Sequence, residues 1–499
     1  MKTKSRSVSP PSVYRNQNAV LRAIFESAGD PRGVLCVALD YAKGKHKALV
    51  CNGRGDILKR PLPVDNSVEG LAFLLSEVAA SARRAGIDAK HIFFGGEDEP
   101  GYAANFIAGL HAAGFAVMRV NAFEAKENRA NLTASTDDLD LLGIAKTLLS
   151  RRARQCQGGT ASDASYARLR ELSRLRHSFV CQKTATANRI HALVDQLLPG
   201  FLDSDRSGLT PFCAASLELM KERFSTVEMA RRRQAPLARL LEEHGVASPG
   251  EAAAKLIALA AGALPPEPGR VCGLQRALRA AVDLYVCLDE NSKALRAEAA
   301  QVLALTPYAM LTSIPGIGFV LSAGIAAELG NPSRLGPTDS LCGYAGIVGK
   351  TAQTGGPDKP ARQRGPSKRC NHLLKNWVVQ GAEKIRLYGT PELRGRILAW
   401  QANGQHHTFA AARRLLRLVR ALVLNGVPYL DPEGRGAGAA PQDTADAARA
   451  AWKRLRSKWR TIPGGSALIT DESHPVGFWR RVVMELHGLR LPARDSARP

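Results

Sequence analysis

The sequence predicts an α/β domain followed by a mainly helical remainder, and three observations carry that division. Between residues 31 and 155, short apolar runs and amphipathic stretches follow the order strand, strand, strand, helix, strand, helix, strand, helix. From 156 onward, apolar residues recur at helical spacing with Arg and Lys between them. The 499 residues also carry 69 Lys and Arg against 45 Asp and Glu, a net charge of +24. Such an excess attracts polyanions, of which nucleic acid is the obvious one.

Residues 1–30 read as a flexible basic arm without the apolar stretch of a signal peptide. In "GVLCVALDYAKGKHKALVCNGRGDILKRPL" an apolar run ends at Asp40 and a second spans 46–51. A tight "NGRGD" turn then leads to a third run from Ile57, a three-strand antiparallel meander. A helix over 67–86 follows, then the strand "HIFFGGE" ending in Glu97, a helix over 102–113 and the strand "FAVMRVN". A helix starting near Thr136 completes a ribonuclease-H-like layered set with acids at its strand ends.

The segment 156–303 reads as a helical, coiled-coil-like linker with an Ala-rich insertion at 201–270. Its two long helices would pack as an antiparallel hairpin or assemble between subunits. Residues 304–432 form the next domain. It opens on "LTSIPGIGFVLSAGIAAELG", where PGIG between helical stretches is a helix-hairpin-helix signature. There Gly316 and Gly318 would let backbone N–H groups approach a phosphate. The glycine-rich loop that follows supplies Lys350, Arg362, Arg364, Lys368 and Arg369 as candidate nucleic-acid contacts. Residues 433–450 read as a linker and 451–499 as a basic tail. Trp452, Trp459 and Trp479 in that tail suit either base stacking or a small helical core.

Other chemistries are excluded or unsupported. The nine cysteines include no CxxC pair, which argues for free thiols in a reducing cytoplasm and against a zinc ribbon. The eleven histidines show no HExxH spacing, and no apolar stretch is long enough to span a bilayer.

Four acids stand out by position. Asp40 ends the first strand and Glu97 the fourth. Asp137 and Asp140, three apart, project from one face of a helix that Ser135 or Thr136 can cap, with Asp138 pointing elsewhere. In the predicted fold the first and fourth strands are neighbours and this helix packs beside them, so the four carboxylates converge. Hard oxygen ligands suit Mg2+, and two ions about 4 Å apart can polarise a phosphodiester.

With these motifs in place the chain resembles the IS110-type (DEDD) insertion-sequence transposases, a family of bridge-RNA-guided recombinases that includes pilin-gene invertases. "VALDYAKGKHKALV" is similar to the family's first acidic motif, through Asp40 and Lys43. "GGEDEPGY" is similar to its E-x-x-x-x-Y pattern, through Glu97 and Tyr102, and "STDDLD" to its T-D-x-x-D, through Asp137 and Asp140. "LRELSRLR" with "NRIHALVDQLLPG" looks like the basic linker, and "LTSIPGIGFVLSAGIAAELGNPSRLGPTDSLCGYAGIV" like the start of the C-terminal transposase domain.

The resemblance implies a RuvC-like N-terminal domain and a C-terminal domain whose Q-S-G serine attacks a DNA phosphate, with metal held by the DEDD acids. It also implies double-stranded DNA at element ends and target, a structured noncoding (bridge) RNA, and a homo-oligomer, dimer or tetramer. "AQTGG" departs from the pattern: Thr354 stands where the family has serine. Threonine keeps a hydroxyl nucleophile but adds a methyl that stiffens χ1. A catalytically weakened nucleic-acid-binding regulator, and a RuvC-like junction nuclease using metal and water, are the competing expectations.

Overall fold

The structure is a computed structural model describing residues 18–97, 101–129, 136–151, 153–156, 161–352, 362–366, 370–403, 407–430 and 441–486. The chain forms two units, Met1–Ala164 and Ser165–Pro499.

The first unit opens with helix α1 (Ala19–Ala28), where the sequence reading placed a flexible arm. Asn18 caps it by accepting hydrogen bonds from the N–H groups of Val20 and Leu21. Leu21 and Phe25, one turn apart, bury its inner face. Strand β1 (Leu35–Asp40) has no polar alternation, because both of its faces are covered. β2 (Lys45–Asn52) and β3 (Ile57–Asp65) complete the meander. Their turn is held by Asn52, whose side-chain oxygen accepts from the N–H groups of Arg54 and Asp56, each at 3.0 Å.

Helix α2 (Val68–Ala85) runs from a Ser67 cap to a left-handed Gly86. Then come β4 (Ile92–Glu97), α3 (Ala104–Ala112), β5 (Ala116–Arg119), α4 (Ala122–Glu127), α5 (Asp137–Leu149) and the two-residue β6 (Arg154–Gln155). The sheet order is β3-β2-β1-β4-β5-β6. β4 lies parallel to both β1 and β5, and the other pairs are antiparallel. The expected order of the first five strands is therefore present, with α4 and β6 added. Leu35, Val37 and Leu39 face a core with α2 and α3, whereas Cys36 and Ala38 face one with α1 and α5.

The second unit begins with two helices of 37 residues, α6 (Ala161–Leu197) and, further along the chain, α12 (Pro268–Ala304). Between them lie α7 (Ser204–Ser207), α8 (Ala214–Lys221), α9 (Thr226–Ala230), α10 (Gln234–Glu243) and α11 (Pro249–Gly262). Arg168 pairs with Glu298 at 2.7 Å, Lys183 with Asp289 at 2.8 Å, and Arg270 donates to Gln196 at 2.7 Å. Partners that descend on α12 as they rise on α6 define an antiparallel hairpin. The insertion α7–α11 caps its far end around Phe201, Phe224 and Leu256.

A 3-10 turn over Pro307–Ser313 leads into α13 (Phe319–Leu329) and α14 (Thr338–Tyr344). A ribbon of β7 (Gly349–Ala352) and β8 (Arg362–Pro366) follows, then α15 (His372–Tyr388), α16 (Pro391–Ala402) and α17 (His407–Asn425). α18 (Pro441–Trp459), α19 (Gly465–Thr470) and α20 (Pro475–Leu486) occupy the region read as linker and tail. Trp452, Trp459 and Trp479 are all buried in the same core as Tyr308 and Trp377, so core packing, not base stacking, is their role. Among the described residues no helix is long and apolar enough to cross a membrane.

Candidate active site

β1 and β4 are parallel and in register, with Asp40 directly opposite Glu97. Residues paired in this way project to the same face of a sheet. That face is the one bearing Cys36, Ala38 and Phe93, and it is covered by α5. Gly95, two residues before Glu97, is the close-approach point: a Cβ there would run into Leu148 of α5. Glycine lets α5 settle against the strand whose end carries Glu97.

Thr136 caps α5, its hydroxyl accepting from Leu139 N–H at 3.4 Å. Asp137 and Asp140 are therefore not needed as the cap, although the helix dipole favours acids in this first turn. The electrostatics of Asp40 report convergence. Burial raises its pKa first, and repulsion from Asp137 and Asp140 raises it further, against the pull of Lys47 and Arg129. Asp40 thus feels the charges of Asp137 and Asp140, and Glu97 lies opposite it in the strand register.

Two basic side chains, which sequence reading missed, attend these acids. Lys47, opposite Asp40 in β2, puts its Nζ 3.7 Å from Asp137 and 2.8 Å from Asp138. Arg129 Nε lies 2.5 Å from Asp140. Asp138, off the helical face of Asp137 and Asp140, shares Lys47 with Asp137, because a cation on the neighbouring strand reaches both carboxylates. Among the described residues no three His, Cys, Asp or Glu side chains stand arranged to hold a metal ion. The acids are turned instead toward Lys47 and Arg129. As a donor set, Asp40 with Asp137 and Asp140, whose charges raise its pKa, offers the hard carboxylate oxygens that a divalent cation takes. The loops behind the site are also tied: Lys43 Nζ sits 5.1 Å from the Tyr102 ring centroid, and His46 Nδ1 accepts from Ala42 N–H at 3.1 Å.

In the second unit, Thr354, Lys368 and Arg369 lie outside the described residues. The backbone register of the ribbon opposes Lys350 to Arg364 and Ala352 to Arg362. Gly316 takes φ +86, and a Cβ on it would meet the Lys384 carbonyl, so its lack of a side chain serves packing against α15. Gly318 has open space around its Cα. The carbonyls of this turn are drawn to Lys458, whose Nζ donates to Thr312, Ile314 and Ile317 at 2.6, 2.9 and 2.6 Å.

Another set missed in the sequence closes the base of the ribbon. Glu328, 2% exposed in α13, accepts two bonds from Arg174, at 2.9 and 3.0 Å, and one from Asn371 at 2.7 Å. Asn371 also donates to the Tyr344 hydroxyl at 2.8 Å, caps α15 through Leu374 N–H, and gives its own N–H to the Tyr344 carbonyl at 2.8 Å. Residues just before β7 and just after β8 are thereby pinned to one buried carboxylate. Burial would raise the Glu328 pKa, but the bonds from Arg174 and Asn371 outweigh it and leave the group lowered.

Two family models match the chain. One, described as Transposase and named for the DEDD transposases of IS110, covers residues 37–199. The other, described as Transposase IS116/IS110/IS902 family, covers residues 308–396. No curated protein matches.

Proposed function

The chain belongs to the IS110 family of transposases, and on that premise we propose that it cuts and rejoins DNA with a DEDD acid site and a threonine nucleophile. The observation that carries this reading is the placement of Asp40 opposite Glu97 on the sheet face where Asp137 and Asp140 bear on Asp40. Asp40, Glu97, Asp137 and Asp140 would hold Mg2+, which supplies polarisation of the scissile phosphate and charge for the departing oxygen.

The chain's own residues do the rest. Lys47 and Arg129 keep the acid side chains from flying apart until the cation enters. The Thr354 hydroxyl attacks the phosphorus, an O–P bond to deoxyribose breaks, and the proton lost from threonine is balanced by one taken up by the sugar oxygen. A later attack by a DNA hydroxyl reverses the link and rejoins the strand. Lys350, Arg362, Arg364, Lys368 and Arg369 neutralise backbone phosphates, with Gly316 and Gly318 at the turn before α13 as further contacts. The net charge of +24 suits a structured RNA that selects DNA by base pairing, bound by a dimer or tetramer.

The test is a denaturing gel of labelled DNA carrying the element's own ends and flanks. Protein-linked DNA should form with the unaltered chain and vanish with Thr354→Ala. If Thr354→Ala cuts as well as the unaltered chain while Asp137→Ala is dead, a metal-and-water nuclease replaces the covalent reading.

A further inference from the structure

Arg174 and Arg176 lie two residues apart on α6, and their surroundings are opposite. Arg174 meets Glu328. Arg176 meets another cation, Arg296 of α12, and among the described residues no carboxylate bears on it. Its Nε is buried without a hydrogen-bond partner. One turn before it, Ser173 is 7% exposed, and its Oγ is likewise buried without a partner. On α12, Glu298 is taken by Arg168 at 2.7 Å and so is engaged elsewhere.

These three side chains line one small cleft, open to solvent, between α6, α12, α13 and α15. Phe319, Ala323 and Trp377 form its apolar wall. A half-buried guanidinium, Arg176, that shares a cleft and apolar rings with a second cation and a buried hydroxyl is an unfavourable arrangement unless an anion lies nearby. Burial, and then the charge of Arg296, lower the pKa of Arg176. Two arginine forks and a hydroxyl donor are also what a tetrahedral oxyanion requires.

We propose that Ser173, Arg176 and Arg296 form a binding site for a phosphate-type oxyanion. The anion has two possible sources, a nucleic-acid backbone phosphate or a free phosphate. Arg296 is exposed and Arg176 is not, so Arg296→Gln removes half the charge without cutting into the core.

The experiment uses the full chain in two arms. In the first, melting is followed against sodium phosphate, with sodium chloride at matched ionic strength as control. In the second, a labelled DNA duplex is titrated over a series of salt concentrations. Phosphate should raise the melting temperature of the unaltered chain beyond the chloride control and leave Arg296→Gln unmoved. Where the source is a backbone phosphate, Arg296→Gln should also weaken duplex binding at least about threefold and reduce the salt slope by about one. Without any anion Arg296→Gln should melt no lower than the unaltered chain, since it relieves repulsion. Ser173→Ala should weaken the phosphate response without abolishing it. Equal phosphate responses in the unaltered chain and Arg296→Gln, with unchanged duplex affinity, would overturn the site.

Discussion

Asp40 in the first unit and Glu328 in the second are both shielded carboxylates, and their surroundings treat them in opposite ways. Glu328 receives three hydrogen bonds from Arg174 and Asn371 and its pKa is lowered. Asp40, opposite Glu97 in the sheet, has its pKa raised by burial and by the charges of Asp137 and Asp140. A carboxylate whose charge is fully answered by its own chain is a structural tie. One whose charge is answered only in part, by cations that other acids share, is poised for something from outside.

The largest effect expected from this contrast concerns activity. Asp40→Asn should lower DNA cutting by about 1000-fold while the chain melts no lower than before, read from a nicking assay beside a melting curve. Next comes Glu328→Gln, which leaves Arg174 without its counter-charge and loosens the join between Tyr344 and Asn371. It should cost about 2 kcal/mol, below the full value for a buried pair because Arg174 is 46% exposed. Thermal or urea unfolding reads it, and protein-linked DNA should fall with it.

Lys458 gives an effect of similar size with a different pH signature. Burial, and then Arg454, pull its pKa from 10.5 to about 8. Between those values the unfolded chain holds a proton that the folded chain lacks, so this group's contribution to stability rises with pH across that window. Lys458→Met should remove that slope and, at the low end of the range where the ammonium donates to the carbonyls of Thr312, Ile314 and Ile317, cost about 2 kcal/mol, as unfolding between pH 7.5 and 10.5 reads.

The smallest effect sharpens the comparison by sign. A raised folded pKa for Asp40 means that its contribution is present below the ordinary 3.8 and is lost as pH rises through the raised value. Asp40→Asn should therefore be the more stable chain near neutrality, by under about 1 kcal/mol after solvent screening, with the gap closing in acid. Glu328 behaves conversely: its contribution is present above the ordinary 4.5 and lost as pH falls through its lowered value. Glu328→Gln should be the less stable chain near neutrality, with its deficit shrinking in acid.

Much of the first unit was legible because strands, turns and helix starts leave local marks. The Asn52 turn, the Ser67 and Thr136 caps and the unbroken apolar run of β1 all fall in short windows. The register that sets Asp40 against Glu97 leaves no local mark, since tertiary packing fixes it. The ion pair between Asp138 and Lys47 was not legible, because a helical-face argument sees only the helix and Lys47 approaches from a strand. α1 did carry a signal, Asn18 ahead of Leu21 and Phe25, but the polar residues before it masked it. Glu328 had one too: a lone acid in the otherwise apolar "FVLSAGIAAELG" needed a buried partner. Arg174 gives no such sign, being one of many arginines on α6.

The central claim is that the acids at the ends of β1 and β4 and the start of α5 form one cation site. Melting the unaltered chain and Asp40→Asn in millimolar MgCl2, against NaCl at equal ionic strength, tests it most directly. The unaltered chain should gain several degrees from Mg2+ and Asp40→Asn almost none. Equal responses in the two chains would contradict the claim.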